Sequence, residues 1–234
     1  MSLRFSIIIP ATNEEDFIVA AIQSVPRYPD TEIIVVVNGS HDATAARARE
    51  TGARVVEFPH PLLAGGARNE GAHVASGETF VFLDADSLMQ PHTLEEINKA
   101  GDVFGTVLGA PIEKKFGYRL FFLIKNTAHR LSMYHGVLGG LFFCPAELFR
   151  RVEGYDVSLK VNEIADIVGR MRAAGGKYRV LTSVTAHTSM RRFEKHGLIS
   201  PLIFWCWIKL VWLWRDKRAK LGEAYATTHD RLFS

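Results

Sequence analysis

The chain has 234 residues, enough for one large domain or a domain with an appendage. Its 47% hydrophobic and 23% charged residues exclude a disordered chain and describe an ordinary globular one. The formal charge of +3, 28 basic minus 25 acidic residues, is too small to argue for a nucleic-acid partner.

Residues 5–9 read as a short, fully apolar strand stopped by Pro10, and the chain reaches it with no room for a signal peptide. The expectation is therefore a cytoplasmic protein. Residues 14–25 repeat apolar side chains at helical spacing (Phe17, Ile18, Ala21, Ile22, Val25), with Thr12 and Asn13 as caps. Residues 32–37 predict a second buried strand, closed by the turn signal Asn38-Gly39-Ser40. A helix over 43–51 ending at Gly52, a strand over 54–58 and a helix over 67–75 ending at Ser76-Gly77 follow. The fourth strand is the run Phe80-Val81-Phe82-Leu83. Continuous apolar strands alternating with helices predict a parallel sheet covered on both faces. Ligands bind such sheets beyond the carboxyl ends of the strands. Residues 11–15, 38–42 and 84–86 all fall on that edge, which makes a nucleotide site the economical reading.

The fourth strand ends abruptly in Asp84-Ala85-Asp86-Ser87. Burying an ionised carboxylate without a partner is costly, so a core strand should not end this way without reason. In extended backbone Asp84 and Asp86 point to the same side, both able to reach one hard divalent cation that keeps positions open for nucleotide phosphates. The plainer alternative is an Asx-turn or a helix cap before Pro91.

The pieces Ile8-Ile9-Pro10-Ala11-Thr12-Asn13-Glu14-Glu15, Asn38-Gly39-Ser40-His41-Asp42-Ala43-Thr44, Ala67-Arg68-Asn69-Glu70-Gly71 and Phe82-Leu83-Asp84-Ala85-Asp86 occur in series. Together they resemble the family-2 inverting glycosyltransferases with a GT-A fold, strongly over roughly the first ninety residues and loosely beyond. The resemblance implies an α/β fold: a single GT-A-type, Rossmann-like domain over 1–195, its central sheet mostly parallel with helices on both faces. It implies that Pro10, Ala11, Asn13 and Glu14, with Asn38 and Ser40, hold the base and ribose of a nucleoside diphosphate sugar. Asp84 and Ala85 would face the ribose or the metal through water. Asp86 would bind Mn²⁺ or Mg²⁺ directly, and Arg68 would lie near the nucleotide. Arg68 and Asn69 also read as a plain helix start, and Glu14 and Glu15 as first-turn carboxylates complementing a helix dipole. Many members carry two acidic residues before the glycine of the second turn. Here the pair is Val37-Asn38, so a pyrimidine N–H is left with the Asn38 side-chain carbonyl as acceptor, and the base stays open.

In the second half, Gly139-Gly140 leads into an apolar strand, Pro145 opens a helix, and Gly154-Tyr155-Asp156 resembles the family's Gly-Phe-Asp turn. The stretch 162–171 then matches the family at Glu163, Asp166 and Arg170, but Ile164 stands where many members carry their general base. Inverting transfer needs a base to take the acceptor's proton. Glu163 is preferred over Asp166, because Asp166 can pair with Arg170 four residues on. An acceptor that is already an anion, such as a polyprenyl phosphate, needs no strong base; a catalytically weakened site is the third possibility. After a last strand over 180–184, the resemblance makes His187 a candidate third metal ligand. Arg191 and Arg192 are candidates for neutralising the departing nucleoside diphosphate.

Residues 198–214 are almost wholly apolar, hold all four tryptophans and are interrupted by Pro201 and Lys209; a basic run, 215–220, follows. Seventeen residues are short of the ~20 needed to span a bilayer. The segment 196–234 is thus expected to be an apolar helix and basic tail that meets a membrane surface at its inner face, the core, or a second copy in a homo-oligomer. The two cysteines, Cys144 and Cys206, lack metal-ligand spacing and suit a reducing compartment. The overall expectation is a metal-dependent glycosyltransferase with an unknown acceptor, one that membrane contact by the tail would make lipid-linked. The alternatives are a nucleotide-binding scaffold that has lost turnover and a nucleotidyltransferase, although the latter usually follows its first strand with a Gly-rich basic loop rather than the acidic one seen here.

Overall fold

The computed structural model describes residues 4–130, 140–159 and 162–196. The expectations for 196–234 fall almost wholly outside the described residues, as do Gly139, Cys206 and the side chain of Arg192.

The chain runs β1 (Phe5–Ala11), α1 (Ile18–Ser24), β2 (Thr31–Asn38), α2 (Thr44–Glu50), β3 (Arg54–Phe58), α3 (Ala64–His73), β4 (Thr79–Leu83) and β5 (Ser87–Leu88). It continues through α4 (Thr93–Ala100), β6 (Phe104–Pro111), α5 (Phe116–Arg130), β7 (Leu141–Pro145), α6 (Ala146–Arg151), α7 (Glu163–Ala173), β8 (Tyr178–Thr188) and α8 (Arg191–His196). Among the described residues these strands form one sheet in the order β3-β2-β1-β4-β7-β6-β8-β5. Parallel pairing joins β3, β2, β1 and β4, and also β6 with β8; β7 runs antiparallel to both β4 and β6, and β5 antiparallel to β8. The mostly parallel α/β sheet expected from the sequence is therefore present.

Side chains alternate along each strand, so every central strand feeds two cores. Ile7, Ile9, Val35, Val37, Val81 and Leu83 face one layer with Ile18, Ile22, Ala48, Leu94 and Ile97 from α1, α2 and α4. Ile8, Ile34, Val36, Phe80 and Phe82 face the other with Ala67, Ala72, Phe149, Ile167 and Met171 from α3, α6 and α7. This explains why the first strands read as unbroken apolar runs.

Three boundaries differ from expectation. Residues 14–17 form a turn ahead of α1, closed by bonds from Phe17 and Ile18 N–H to the Glu14 carbonyl. The strand expected over 180–184 extends to Thr188, because Leu108, Gly109, Ala110 and Pro111 of β6 pair with 185–188 after a bulge. The stretch 84–87 is not extended. Ser87 N–H donates to the Asp84 carbonyl at 3.0 Å, so the chain turns directly after β4 and the alternation argument does not govern Asp84 and Asp86. The structure also adds α4, β6 and α5, which the apolar patterning above does not delineate.

Helix α3 sits close on the sheet because its inner face is glycine and alanine. A Cβ at Gly71 would lie 2.3 Å from Ile8 Cγ2 and 3.0 Å from Val36 Cγ2. Both neighbours are stiff β-branched core residues. Gly71→Ala is expected to destabilise the fold by about 1–3 kcal/mol, seen as a lower denaturation midpoint. An unchanged midpoint would show that the helix can retreat without cost.

Candidate functional site

The carboxyl ends of β1, β2 and β4 and the start of β7 meet on one edge, and the loops there are sewn together by side chains. Asn13, at φ 53°, receives the His41 N–H on Oδ1 at 2.9 Å and gives its own N–H to Ser40 Oγ at 3.0 Å. Glu14 N–H donates to Thr44 Oγ1 at 2.8 Å, Glu15 N–H to Asp42 Oδ2 at 3.1 Å, and Ala43 N–H to Glu15 Oε2 at 3.1 Å. Burial alone would raise the Asp42 carboxyl, but the hydrogen bonds from Thr44 and from the Glu15 N–H hold it below the usual range. Thr12 Oγ1 donates to the Asn38 carbonyl at 3.0 Å. The Asn38 amide itself spans to Leu62, donating to its carbonyl at 2.8 Å and accepting its N–H at 2.5 Å. Asn13, Asn38 and Ser40 thus hold loop to loop, with Pro10 and the buried Ala11 completing the end of β1.

Two carboxylate–arginine clusters stand on this edge. In the first, Arg68 Nη2 donates to Asp84 Oδ1 at 3.0 Å, and its Nη1 lies 3.6 Å from Glu163 Oε1. The Arg68 side chain is only 11% exposed and lies over the Tyr155 ring, 5.6 Å from its centroid. Burial would lower the arginine's pKa, but the Asp84 charge, with Glu163, outweighs it and holds the guanidinium charged. Burial also pushes the Tyr155 phenol up, so that ring stays neutral. The Arg68 Nη1 makes no hydrogen bond within the described structure. In the second cluster, Arg191 pairs with Glu14 Oε1, lies 3.6 Å from Asp86 Oδ2, and stacks over Phe17 at 4.3 Å. Asp84 and Asp86, one residue apart, are split by the 84–87 turn toward different arginines.

Asn69 clamps the first cluster from behind. Its amide accepts the Tyr155 N–H and donates to the Tyr155 carbonyl, both at 2.8 Å, tying α3 to the 154–156 turn. Gly140, at φ +69°, closes the front. A Cβ there would sit 2.9 Å from Asp84 Oδ2 and 2.3 Å from Ser87 Oγ, so the missing side chain leaves the outer Asp84 oxygen accessible. Ala85 is buried between the two carboxylates.

The two base candidates have different surroundings. Glu163 opens α7 and faces Arg68 with its side chain 21% exposed. Asp166 is 6% exposed and accepts from Arg170 Nε at 2.7 Å; Arg170 in turn bonds the Val152 carbonyl. Ile164, partly buried, packs against the core layer that holds Ile167 and Met171.

The far side of the site was less legible. His187 lies within β8, opposite Leu88 and Ala110. The residue across from Asp86 is Ser189, whose N–H donates to the Asp86 carbonyl at 3.0 Å. No group of three His, Cys, Asp or Glu side chains converges on a metal-sized site among the described residues. Glu113, just after β6, accepts from Ser189 Oγ at 3.0 Å and from the Met190 N–H at 2.9 and 3.0 Å, positioning the turn that delivers Arg191. Nothing in the sequence singles out that glutamate, since its partners come from a segment far along the chain.

Comparison with known proteins bears on the family and the fold. A family described as Glycosyl transferase family 2 matches residues 6–146. An uncharacterized glycosyltransferase of Nostoc sp. is 31% identical over 115 residues; the match spans 45% of the chain and 36% of that protein, so the chain covers about a third of its length. Among solved structures, S. aureus TarS 1-349 in complex with UDP-GlcNAc superposes with a TM-score of 0.65 at 18% identity over 80% of the chain and 58% of that 1-349 chain. The mannosyltransferase PcManGT of Pyrobaculum calidifontis, in complex with GDP-Man and Mn²⁺, gives 0.61 at 19% identity over 80% of the chain and 57% of that protein. These likenesses show the fold.

Proposed function

The chain belongs to glycosyl transferase family 2 and has its GT-A fold, and from that membership we propose that it transfers a sugar from a nucleoside diphosphate sugar to an acceptor hydroxyl with inversion. The observation that carries this reading is the pair of carboxylate–arginine clusters on the carboxyl edge of the sheet, Asp84–Arg68–Glu163 and Asp86–Arg191–Glu14. The first reaches toward a base, the second toward the departing diphosphate.

Asp84 and Asp86 suit a hard divalent cation: both offer carboxylate oxygens, and the outer Asp84 oxygen is left accessible by Gly140. Mn²⁺ or Mg²⁺ held there would draw charge from the diphosphate. The Mn²⁺ bound with GDP-Man in the Pyrobaculum enzyme supports such a site in this fold. Arg191, now satisfied by Glu14 and Asp86, carries the positive charge that a diphosphate leaving group requires. As the acceptor oxygen bonds to the anomeric carbon, the bond from that carbon to the diphosphate breaks and the hydroxyl proton passes to the Glu163 carboxylate. Arg68, 3.6 Å from that carboxylate, balances its charge together with that of Asp84. The base of the donor is left to the 11–15 and 38–42 loops, and UDP and GDP sugars are both represented among the structural neighbours.

Arg191→Ala is expected to lower turnover about 10²–10³-fold, as loss of one charge-stabilising donor does, while the denaturation midpoint changes little because the side chain is partly exposed. Single-turnover rates with saturating donor decide it; unchanged rates remove Arg191 from the site. The functional assignment itself is tested by binding and slow hydrolysis across UDP-, GDP- and dTDP-sugars with Mn²⁺, against EDTA. Metal-dependent binding with release of one nucleoside diphosphate is expected. Binding without release under any condition favours the scaffold reading, which the apolar Ile164, partly buried where many members carry their base, supports.

A further inference from the structure

Helix α5 is apolar on two faces. Its inner face, Tyr118, Phe122 and His129, is buried, and Asn126 bonds both the N–H and the carbonyl of Gly109 on β6. Its outer face carries Phe116, Leu120, Leu123 and Ile124, which are 80%, 44%, 62% and 63% exposed. These positions follow i, i+4, i+7 and i+8, so they form one continuous stripe along the helix. Scattered exposed apolar residues are ordinary, but an aligned stripe of four is not.

The charges around that stripe are mostly basic, and the one exposed acid that α8 brings beside it, Glu194, is paired with Lys115. Between Ile112 and Arg130 the basic residues are Lys114, Lys115, Arg119, Lys125 and Arg130, against a single acid, Glu113. Glu113 is engaged with Ser189 and Met190. Arg119 and Arg130 are exposed and lie on one flank of the stripe, as the 100° step per residue requires. A helix with an exposed apolar face flanked by the exposed Arg119 and Arg130 matches an anionic lipid surface: the stripe enters the acyl boundary while the two arginines reach lipid phosphates. A protein partner would find little polar to read in the stripe, whose one exposed hydroxyl, Thr127, is given to the Leu123 carbonyl, and a second copy would bring Arg119 and Arg130 against like charges.

We infer that α5 docks the protein on the surface of an anionic bilayer. The helix also packs on the segment that carries Arg191, since Tyr118 and Phe122 cluster with Met190 and with the partly buried Phe193, and Lys115 pairs with Glu194 at 2.5 Å. The helix that docks therefore adjoins the rim of the site through its opposite face. No helix among the described residues is long and apolar enough to cross a membrane, so the contact is interfacial.

The test is co-sedimentation of the full chain with phosphatidylcholine vesicles, with and without phosphatidylglycerol, in the absence of any sugar nucleotide, so that its outcome is independent of transferase activity. The full chain is expected to pellet with the phosphatidylglycerol vesicles and to be released by high salt. The pair Leu123→Asp and Ile124→Asp is expected to lower the partition coefficient at least about tenfold, and the pair Arg119→Gln and Arg130→Gln roughly tenfold. All four positions are exposed, so denaturation midpoints should match the parent. Equal binding by the variants would overturn the inference and assign any membrane affinity to the remainder of the chain. Equal binding to neutral vesicles, no binding at all, or a concentration-dependent dimer that the Asp variants dissolve would overturn it as well.

Discussion

Asp86→Ala is expected to remove metal-dependent turnover by roughly 10²–10³-fold while leaving a folded protein. The aspartate follows directly on the β4 turn, with its side chain 14% exposed and one oxygen 3.6 Å from Arg191. Its backbone carbonyl, not its side chain, holds Ser189, so the hydrogen bond that ties β5 to the Arg191 segment survives the substitution. Without the carboxylate Arg191 keeps Glu14 as partner, and the site loses one of two anionic donors for a cation. Calorimetric titration of Mn²⁺ with a sugar nucleotide, read beside the denaturation midpoint, distinguishes the effects. Metal-dependent donor binding at parental strength would refute the assignment, whereas a large drop in midpoint would mean that the turn depends on the carboxylate.

Glu163→Gln and Asp166→Asn are expected to fail in different ways, although the two residues share a helix. Removing a general base typically lowers the rate about 10²–10⁴-fold. Glu163→Gln should show that loss in the chemical step with donor binding intact, since glutamine keeps the shape beside Arg68 but cannot take a proton. Asp166→Asn should instead lower stability by about 1–3 kcal/mol, because its buried carboxylate is the partner of Arg170, which also ties α7 to the Val152 carbonyl. Pre-steady-state rates together with urea midpoints decide between them. A rate loss in Asp166→Asn with normal stability, and none in Glu163→Gln, would transfer the base to Asp166. Parental rates in both would point to an acceptor that attacks as an anion.

The Gly71 contact and the Asn69 clamp show how the first half of the chain was readable and where reading stopped. Apolar runs of β1, β2 and β4, and the turn signals between them, follow from residue chemistry within a few positions of one another. That short-range information set the sheet, its covered faces and the edge on which 11–15, 38–42 and 84–86 lie. Arg68 and Asp84 were both identifiable, yet the bond between them depends on α3 sitting close enough to the sheet, which its glycines permit. The extended reading of Asp84 and Asp86 did not survive, because one hydrogen bond from Ser87 to Asp84 turns the chain where periodicity alone predicts continued strand. His187 was expected after its strand and lies within it, because β6 supplies pairing partners that no local pattern announces.

By itself, then, the sequence determined the layered α/β architecture, the edge carrying 11–15, 38–42 and 84–86, and the local Asp166–Arg170 pair, since burial period, turn chemistry and i,i+4 spacing are local properties of the chain. Only the tertiary structure decided which distant charges meet: Arg68 between Asp84 and Glu163, Arg191 between Glu14 and Asp86, and Glu113 behind Ser189. These pairings join residues as much as 177 positions apart. Electrostatic partnership depends on distance in space and on burial, and neither is encoded in the spacing of letters.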